Sequence, residues 1–370
     1  MAHFCEHMTF KGTARRSTMQ VVNTLETVGG DLNAFTNKED TVYHAAIGRE
    51  HFSRAVDLLT DIVFCSLYPQ AEIDKEVEVI ADEIESYNDS PAELIYDDFE
   101  NIIFNGHPLG HNILGEAARL RTYTTAHARR FTSRYYRPDN TVFFVDGNID
   151  FRRLTVSLEK RIGNIMRVRG AETVCYTASS AEETRGAHPR VIERAKGTHQ
   201  AHVMIGTETY NANHPRRMAL ALLNNILAGP GMNARLNVSL RERNGLVYTV
   251  EGLTTCYSDT GLWSLYFGCD PDNVTRCLKL IRRETDRLIS RPLSDTALRA
   301  AKLQLKGQMA IASDNREQFA LDFSNRYLHE GTGTQLTDIY ERIEAIDAVT
   351  LQQVAAELMV EDRLTTLIYK

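Results

Sequence analysis

His3-Phe4-Cys5-Glu6-His7 stands almost at the start of the chain. On a helix, His3 and His7 are four residues apart and project to one side, where two imidazoles can share one tetrahedral zinc. Glu6 is three residues from His3 and neighbours it on that side, so its carboxylate can take a proton from a zinc-bound water. With 12 histidines in the chain, a stray match of this kind has a probability of roughly a few per cent. The motif is therefore informative but incomplete. A catalytic zinc takes three protein ligands and keeps one open position, so a third ligand must come from elsewhere.

The stretch from Glu72 to Tyr87 offers one. Ile73, Val77, Ile80 and Ile84 recur at spacings of four, three and four, which predicts a helix with one apolar face. Glu76 and Glu83 are seven residues apart, about two turns, and stack on one stripe along the border of that face. Standing alone, the two read as solvated or salt-bridged glutamates. With H-x-x-E-H upstream the balance reverses, because a carboxylate at the edge of a buried face needs a partner.

Composition narrows the class. A chain of 370 residues predicts about two globular domains. Lys+Arg 42 against Asp+Glu 49 leaves a net charge of −7, which excludes the basic footprint of a nucleic-acid binder. No apolar run approaches the roughly 18 to 20 residues that span a bilayer, and the first residues lack a signal-peptide core. A soluble, cytoplasmic protein without nucleic-acid or membrane partners is expected. The six cysteines, Cys5, Cys65, Cys175, Cys256, Cys269 and Cys277, show no C-x-x-C spacing and read as free thiols in a reducing compartment. Cys65 and Cys269 sit in apolar or aromatic surroundings and are expected to pack as small hydrophobes.

Helical periodicity and short strands alternate throughout, which points to an α+β or α/β fold. Thr141 to Val145 is a β-branched and aromatic run closed by Asp146-Gly147-Asn148, the pattern of a strand and a turn. Between 167 and 189, Gly170, Ser179, Ser180, Gly186 and Pro189 interrupt any apolar period, which predicts a linker. The expected division is a domain at 1–166, the linker at 167–189 and a second domain at 190–370. Each part closes on a helix near a threonine (Thr125, Thr350) and a strand-like run (Thr141 to Val145, Leu364 to Tyr369), so a duplicated domain is expected.

At this point the residues resemble the pitrilysin/insulinase metallopeptidases, and among them two-domain members such as the mitochondrial processing peptidase β subunit. In that family the inverted zinc motif is followed by a glutamate ligand, with a second glutamate seven residues before it, at the spacings that separate His7, Glu76 and Glu83 here. The resemblance implies one Zn2+ per chain on His3, His7 and Glu83, Glu6 as general base, and Glu76 as a carboxylate that orients a ligand or relays protons. It continues through Gly29-Gly30-Asp31-Leu32-Asn33-Ala34-Phe35-Thr36, similar to the family segment in which an edge strand receives the substrate. From the residues alone, an ordinary edge strand fits Asn33, Ala34, Phe35 and Thr36 equally well. Asn88-Asp89-Ser90-Pro91, His107-Pro108-Leu109-Gly110 and Arg137-Pro138-Asp139-Asn140 also match; His107 is read as structural.

In the second half, Gly229-Pro230-Gly231-Met232-Asn233-Ala234-Arg235-Leu236 leads into a stretch with Arg241 and Tyr248, similar to the family's second signature. By themselves an Arg and a Tyr seven apart read as a surface salt bridge and a half-buried ring. The resemblance implies that they hold the substrate backbone and stabilise the oxyanion. It implies two related α/β sandwich domains enclosing a chamber, and a zinc endopeptidase acting on peptides or unfolded polypeptide segments. A homodimer is the simplest assembly, and a heterodimer with an inactive relative is the alternative. A non-catalytic structural or assembly subunit of the same fold is the rival reading. In the family, strands precede the zinc motif, whereas only Met1 and Ala2 precede His3 here, so a truncated N-terminal sheet is expected.

Overall fold

A computed structural model describes residues 1–169, 190–333 and 335–370. In chain order the helices are α1 (Ala2–Thr9), α2 (Thr18–Glu26), α3 (Phe52–Cys65), α4 (Gln70–Asn88), α5 (Pro91–Ile103), α6 (Ala117–Leu120) and α7 (Thr125–Tyr135). They continue with α8 (Phe151–Arg169), α9 (Arg217–Ala228), α10 (Val274–Ser290), α11 (Asp295–Ser313), α12 (Arg316–Glu330), α13 (Leu336–Glu344) and α14 (Ala348–Leu358). The strands are β1 (Asp31–Thr36), β2 (Thr41–Ala46), β3 (Val191–Arg194), β4 (Ala201–Thr209), β5 (Val247–Cys256), β6 (Gly261–Cys269) and β7 (Thr365–Tyr369). The fold is α+β in two compact units. One holds Met1–Ser86, the described part of Asn112–Glu182, and Arg316–Leu328; the other holds Tyr87–His111, the described part of Glu183–Asn315, and His329–Lys370. The expected linker at 167–189 lies outside the described residues from 170 onward, as does Cys175.

In the first unit, β1 and β2 form an antiparallel pair in the register Asn33↔His44 to Thr36↔Thr41. Val21 and Leu25 of α2 and Ala55, Leu58 and Ile62 of α3 make one buried cluster, against which Leu32, Tyr43 and Ala45 of the strands pack. A second cluster joins α1 to α4. Phe4, Cys5 and Met8 lie against Ile73, Val77 and Ile80, with Ile84 at the margin, so the apolar face expected over 72–87 is buried as its period predicts. Thr141 to Val145 departs from expectation. It joins neither sheet, although Thr141 is extended at φ −136° and ψ 136°. β-branched side chains favour a strand only where a neighbouring strand completes the ladder.

The second unit is built on a five-stranded sheet in the order β3-β7-β4-β6-β5, with β3 and β7 parallel and the other pairs antiparallel. Its central strands are buried at nearly every position because both faces are covered. Val203, Ile205, Trp263, Leu265, Phe267 and Ile368 pack on α9, α10 and α14. The alternate residues Met204, Leu262, Tyr266, Leu367 and Tyr369 pack on Leu94, Ile95 and Phe99 of α5. Thus α5, which the chain reaches well before the second half, covers one face of the second unit's sheet. The closing strand expected at Leu364 to Tyr369 is β7. The helix expected near Thr350 is α14, capped by the Asp347 side chain accepting from the Thr350 N–H. The cysteines outside 170–189 are free thiols. Cys269 is buried as expected, while Cys65 is half-buried. No helix among the described residues is long and apolar enough to cross a membrane.

Candidate metal centre

Helix α1 is held in place by the face opposite its polar one. Phe4 and Met8, four apart, are fully buried, and their burial against α4 turns His3, Glu6 and His7 towards the Glu76 and Glu83 stripe of that helix. The two imidazole Nε2 atoms face each other at 3.2 Å. Glu83 Oε1 lies 3.7 Å from His3 Nε2, and Glu83 Oε2 lies 3.5 Å from His7 Nε2. A tetrahedral zinc with bonds of about 2.0 to 2.1 Å separates its ligand atoms by roughly 3.3 Å. The donor set, two neutral-capable imidazoles and one carboxylate converging at nearly that spacing, therefore fits a zinc ion. Among the described residues, His3, His7 and Glu83 are the group of His, Cys, Asp and Glu side chains that can close on one ion. His3 and His7 are the more enclosed members and Glu83 the most open, at 43% exposure, which leaves one side for a water or a substrate oxygen.

Around these three, further contacts set orientation and charge. Glu76 is buried, with Oε1 at 3.0 Å from His7 Nδ1 and Oε2 at 2.5 Å from Lys11 Nζ. A hydrogen on Nδ1 donated to Glu76 leaves the His7 Nε2 lone pair facing His3 and Glu83. Glu6 is buried and accepts a hydrogen bond on Oε2 from the Thr36 hydroxyl at the end of β1. By contrast, His3 Nδ1 is buried without a hydrogen-bond partner, so no neighbour selects its tautomer.

Burial, the His7 charge and the chain's N-terminal amine lower the His3 pKa to about 4, so the ring is neutral at physiological pH and its lone pair is available. For His7, burial works downwards, but the Glu76 hydrogen bond and the Glu83, Glu76 and Glu6 charges outweigh it and raise the pKa. Burial raises the Glu6 carboxyl, opposed by the Thr36 hydrogen bond and the His7 charge, the direction that suits a group cycling between base and acid. Burial pushes Glu76 up as well, yet the hydrogen bonds from His7 and Lys11 and the Lys11 charge bring it below the usual carboxylate value.

Asn33, Ala34, Phe35 and Thr36 lie on β1, which pairs with β2 alone. Its other edge takes no strand among the described residues. The Asn33 side chain accepts from the neighbouring Ala34 N–H, while Thr36 touches both Glu6 and Thr41. The strand is therefore joined to α1 by a side-chain hydrogen bond at its last residue. Tyr43 on β2 adds a second link, with its hydroxyl 3.0 Å from Thr9 Oγ1 and 2.9 Å from the Tyr136 hydroxyl. Lys11 and the Thr36 to Glu6 bond are absent from the sequence-based expectation. Lys11 was accessible to it, since it stands four residues after His7.

Arg241 and Tyr248 belong to the second unit. Arg241 sits in a π-helical turn, Asn237–Glu242, and its guanidinium carbon lies 5.5 Å from the centre of the Tyr248 ring. Tyr248 is 82% exposed, more than the half-buried ring a surface role predicts. The register shifts between Val247 and Val250, so Tyr248 leaves the regular ladder of edge strand β5. Arg241, Tyr248, Met232 and the stretch Thr249 to Leu253 line a groove of about 390 Å³. Gly229 opens this segment. A Cβ there would stand 2.3 Å from Asn225 Oδ1 and 2.7 Å from the Asn225 carbonyl oxygen, so the sharp exit from α9 requires glycine. His107 is a peripheral contact of the second unit, 3.1 Å from Asp259.

Known proteins resemble this chain along nearly its whole length. Residues 1–117 match the family described as insulinase (peptidase family M16), and residues 122–305 match its companion, described as the peptidase M16 inactive domain. The residues of the candidate centre fall in the first of these. A protein of Bacillus subtilis named as an uncharacterized zinc protease, YmxG, is 29% identical over 368 residues, covering 100% of this chain and 88% of its own. A similarly named zinc protease of Streptomyces coelicolor is 29% identical over 357 residues, covering 96% of this chain and 78% of its own. Among solved structures, a protease from Helicobacter pylori superposes with a TM-score of 0.92 at 21% identity, over 100% of this chain and 88% of that one. A Pseudomonas fluorescens structure titled as a peptidase M16 inactive domain gives 0.83 at 15% identity, over 99% and 86%. Motif, two-unit fold and relatives named as zinc proteases agree, and the chain belongs to the insulinase family of M16 peptidases.

Proposed function

We propose that this chain is a zinc metalloendopeptidase. The observation that carries the reading is the convergence of His3 Nε2, His7 Nε2 and the Glu83 carboxylate, all within 4.8 Å of one another, with Glu6 beside them. His3, His7 and Glu83 would hold one zinc, which when bound polarises a peptide carbonyl and acidifies a water. Glu6 takes the proton of the attacking water and returns it to the leaving amine, and the Thr36 hydroxyl keeps its Oε2 in place while it does so. Glu76 fixes the His7 ring through Nδ1. The free edge of β1 receives an extended peptide along Asn33 to Thr36 through backbone hydrogen bonds. By family resemblance, Arg241 and Tyr248 donate to the substrate backbone and to the developing oxyanion. The same resemblance supports a chamber that admits peptides and unfolded segments, assembled as a homodimer, with an inactive relative as the other possible partner.

The test is zinc stoichiometry together with cleavage of a quenched fluorescent peptide. Glu6→Gln is expected to keep zinc and lose turnover by about 10²- to 10⁴-fold, the usual worth of a general base. Unchanged cleavage in Glu6→Gln rejects its assignment. A chain that holds no zinc and cleaves nothing rejects the enzyme and favours a structural subunit of the same fold.

A further inference from the structure

Glu76 uses each of its oxygens for one partner, and the two partners differ in kind. Oε1 meets His7 Nδ1 at 3.0 Å and Oε2 meets Lys11 Nζ at 2.5 Å. Lys11 follows α1 by two residues, and its N–H donates to the Met8 carbonyl at 3.1 Å. The turn closing α1 thus brings its ammonium back along the flank that carries His7. The Lys11 side chain is only 24% exposed, and Glu76 only 9%. Among the described residues Lys11 has no other ion pair. A buried carboxylate beside an imidazole has several ways to satisfy itself: it can rotate, shift towards the metal ligands, or take up a proton. A fixed cation on the outer oxygen removes those choices. We propose that Lys11 is a positioning residue of the zinc site, anchoring Glu76 through Oε2 so that Oε1 stays on His7 Nδ1 and His7 Nε2 stays turned towards His3 and Glu83.

This inference rests on the zinc reading above and goes beyond it, because Lys11 touches neither the metal ligands nor the general base. If Lys11 only ties α1 to α4, its loss weakens the fold and leaves metal affinity as it was. If it acts through Glu76, its loss weakens zinc binding, and it has nothing left to do once Glu76 is changed.

The experiment measures zinc affinity of the full chain by competition with a chromogenic chelator, alongside urea unfolding of the zinc-free protein. Lys11→Met is expected to weaken zinc about 10-fold, the low end of the loss on removing a direct partner of a metal-binding histidine, because Lys11 acts one contact further out through Glu76. Lys11→Arg, which keeps the charge, recovers most of that loss. Lys11→Met combined with Glu76→Gln binds zinc no more weakly than Glu76→Gln alone. Unchanged affinity in Lys11→Met, or full additivity in the double variant, overturns the role. If Lys11→Met does not fold, Lys11→Gln takes its place under the same criteria. Wild-type chain that binds no zinc, or binds it equally well as His7→Ala, overturns the zinc reading itself. Wild-type binding that depends on His7 but ignores Lys11 overturns only this proposal.

Discussion

Phe99→Ala probes the least expected feature of the fold, the covering of the second unit's sheet by α5. The Phe99 ring is fully buried, and one of its edge carbons lies 3.0 Å from where a Cβ on Gly206 of β4 would be, so the ring lies directly on the strand. Truncation removes most of a phenyl ring from a site walled by Met204, Leu262, Tyr266, Leu367 and Tyr369. At about 25 cal/mol per Å² over roughly 150 Å² of lost burial, the transfer contribution is about 4 kcal/mol, within the 3 to 5 kcal/mol typical of such truncations. The chain's single tryptophan makes the assay selective. Trp263 is 1% exposed on β6, so its fluorescence during urea unfolding reports the sheet on which α5 lies. With a denaturant slope of about 2 kcal/mol per molar, the Trp263 transition should fall by about 2 M urea. A fall corresponding to less than about 1 kcal/mol would refute the packing of α5 on this sheet, because no buried phenyl ring is removed so cheaply.

Gly206→Ala should destabilise the same transition by about 1 to 3 kcal/mol, since its Cβ would stand 2.2 Å from the Trp263 carbonyl oxygen; an unchanged urea midpoint contradicts the close approach of β4 and β6. Asn224→Ala should cost about 2 to 4 kcal/mol and shift Trp263 emission, because the amide accepts from Trp263 Nε1 at 3.0 Å and donates to the Gly252 carbonyl at 2.7 Å, and both partners would be left without it. In the first unit, Asp61→Ala should cost about 3 to 5 kcal/mol by circular dichroism, since Asp61 is 3% exposed and accepts from Thr13 and Arg16. Burial holds the His202 pKa below 6.5, so the fold prefers the neutral ring. That stability is present above about pH 6.5 and is lost as pH falls below it towards the folded value. The Trp263 transition of His202→Gln should therefore drop less than wild type between pH 7.5 and 5.5; an equal drop assigns the acid sensitivity elsewhere.

What could be read from the residues was local. A helix repeats every 3.6 residues, so His3 with His7 and Glu76 with Glu83 were placed on common stripes before any packing was known, and the period of Ile73, Val77 and Ile80 identified the face that packs on α1. Chemistry confined to helical stripes is legible because the spacing itself is the geometry. The destination of a face is a different matter. The apolar side of α5 announces burial without naming its cover, and only the folded chain puts it on β4, β6 and β7. Thr141 to Val145 has the side chains of a strand, but a ladder needs a second chain segment, and sequence propensity carries no information about which one arrives. Lys11 on Glu76 and Thr36 on Glu6 likewise join residues 65 and 30 positions apart. The sequence by itself determined which residues can bind a metal and on which helical side they stand. Tertiary packing decided what surrounds and orients them, because such contacts form between segments whose separation along the chain leaves no periodic trace.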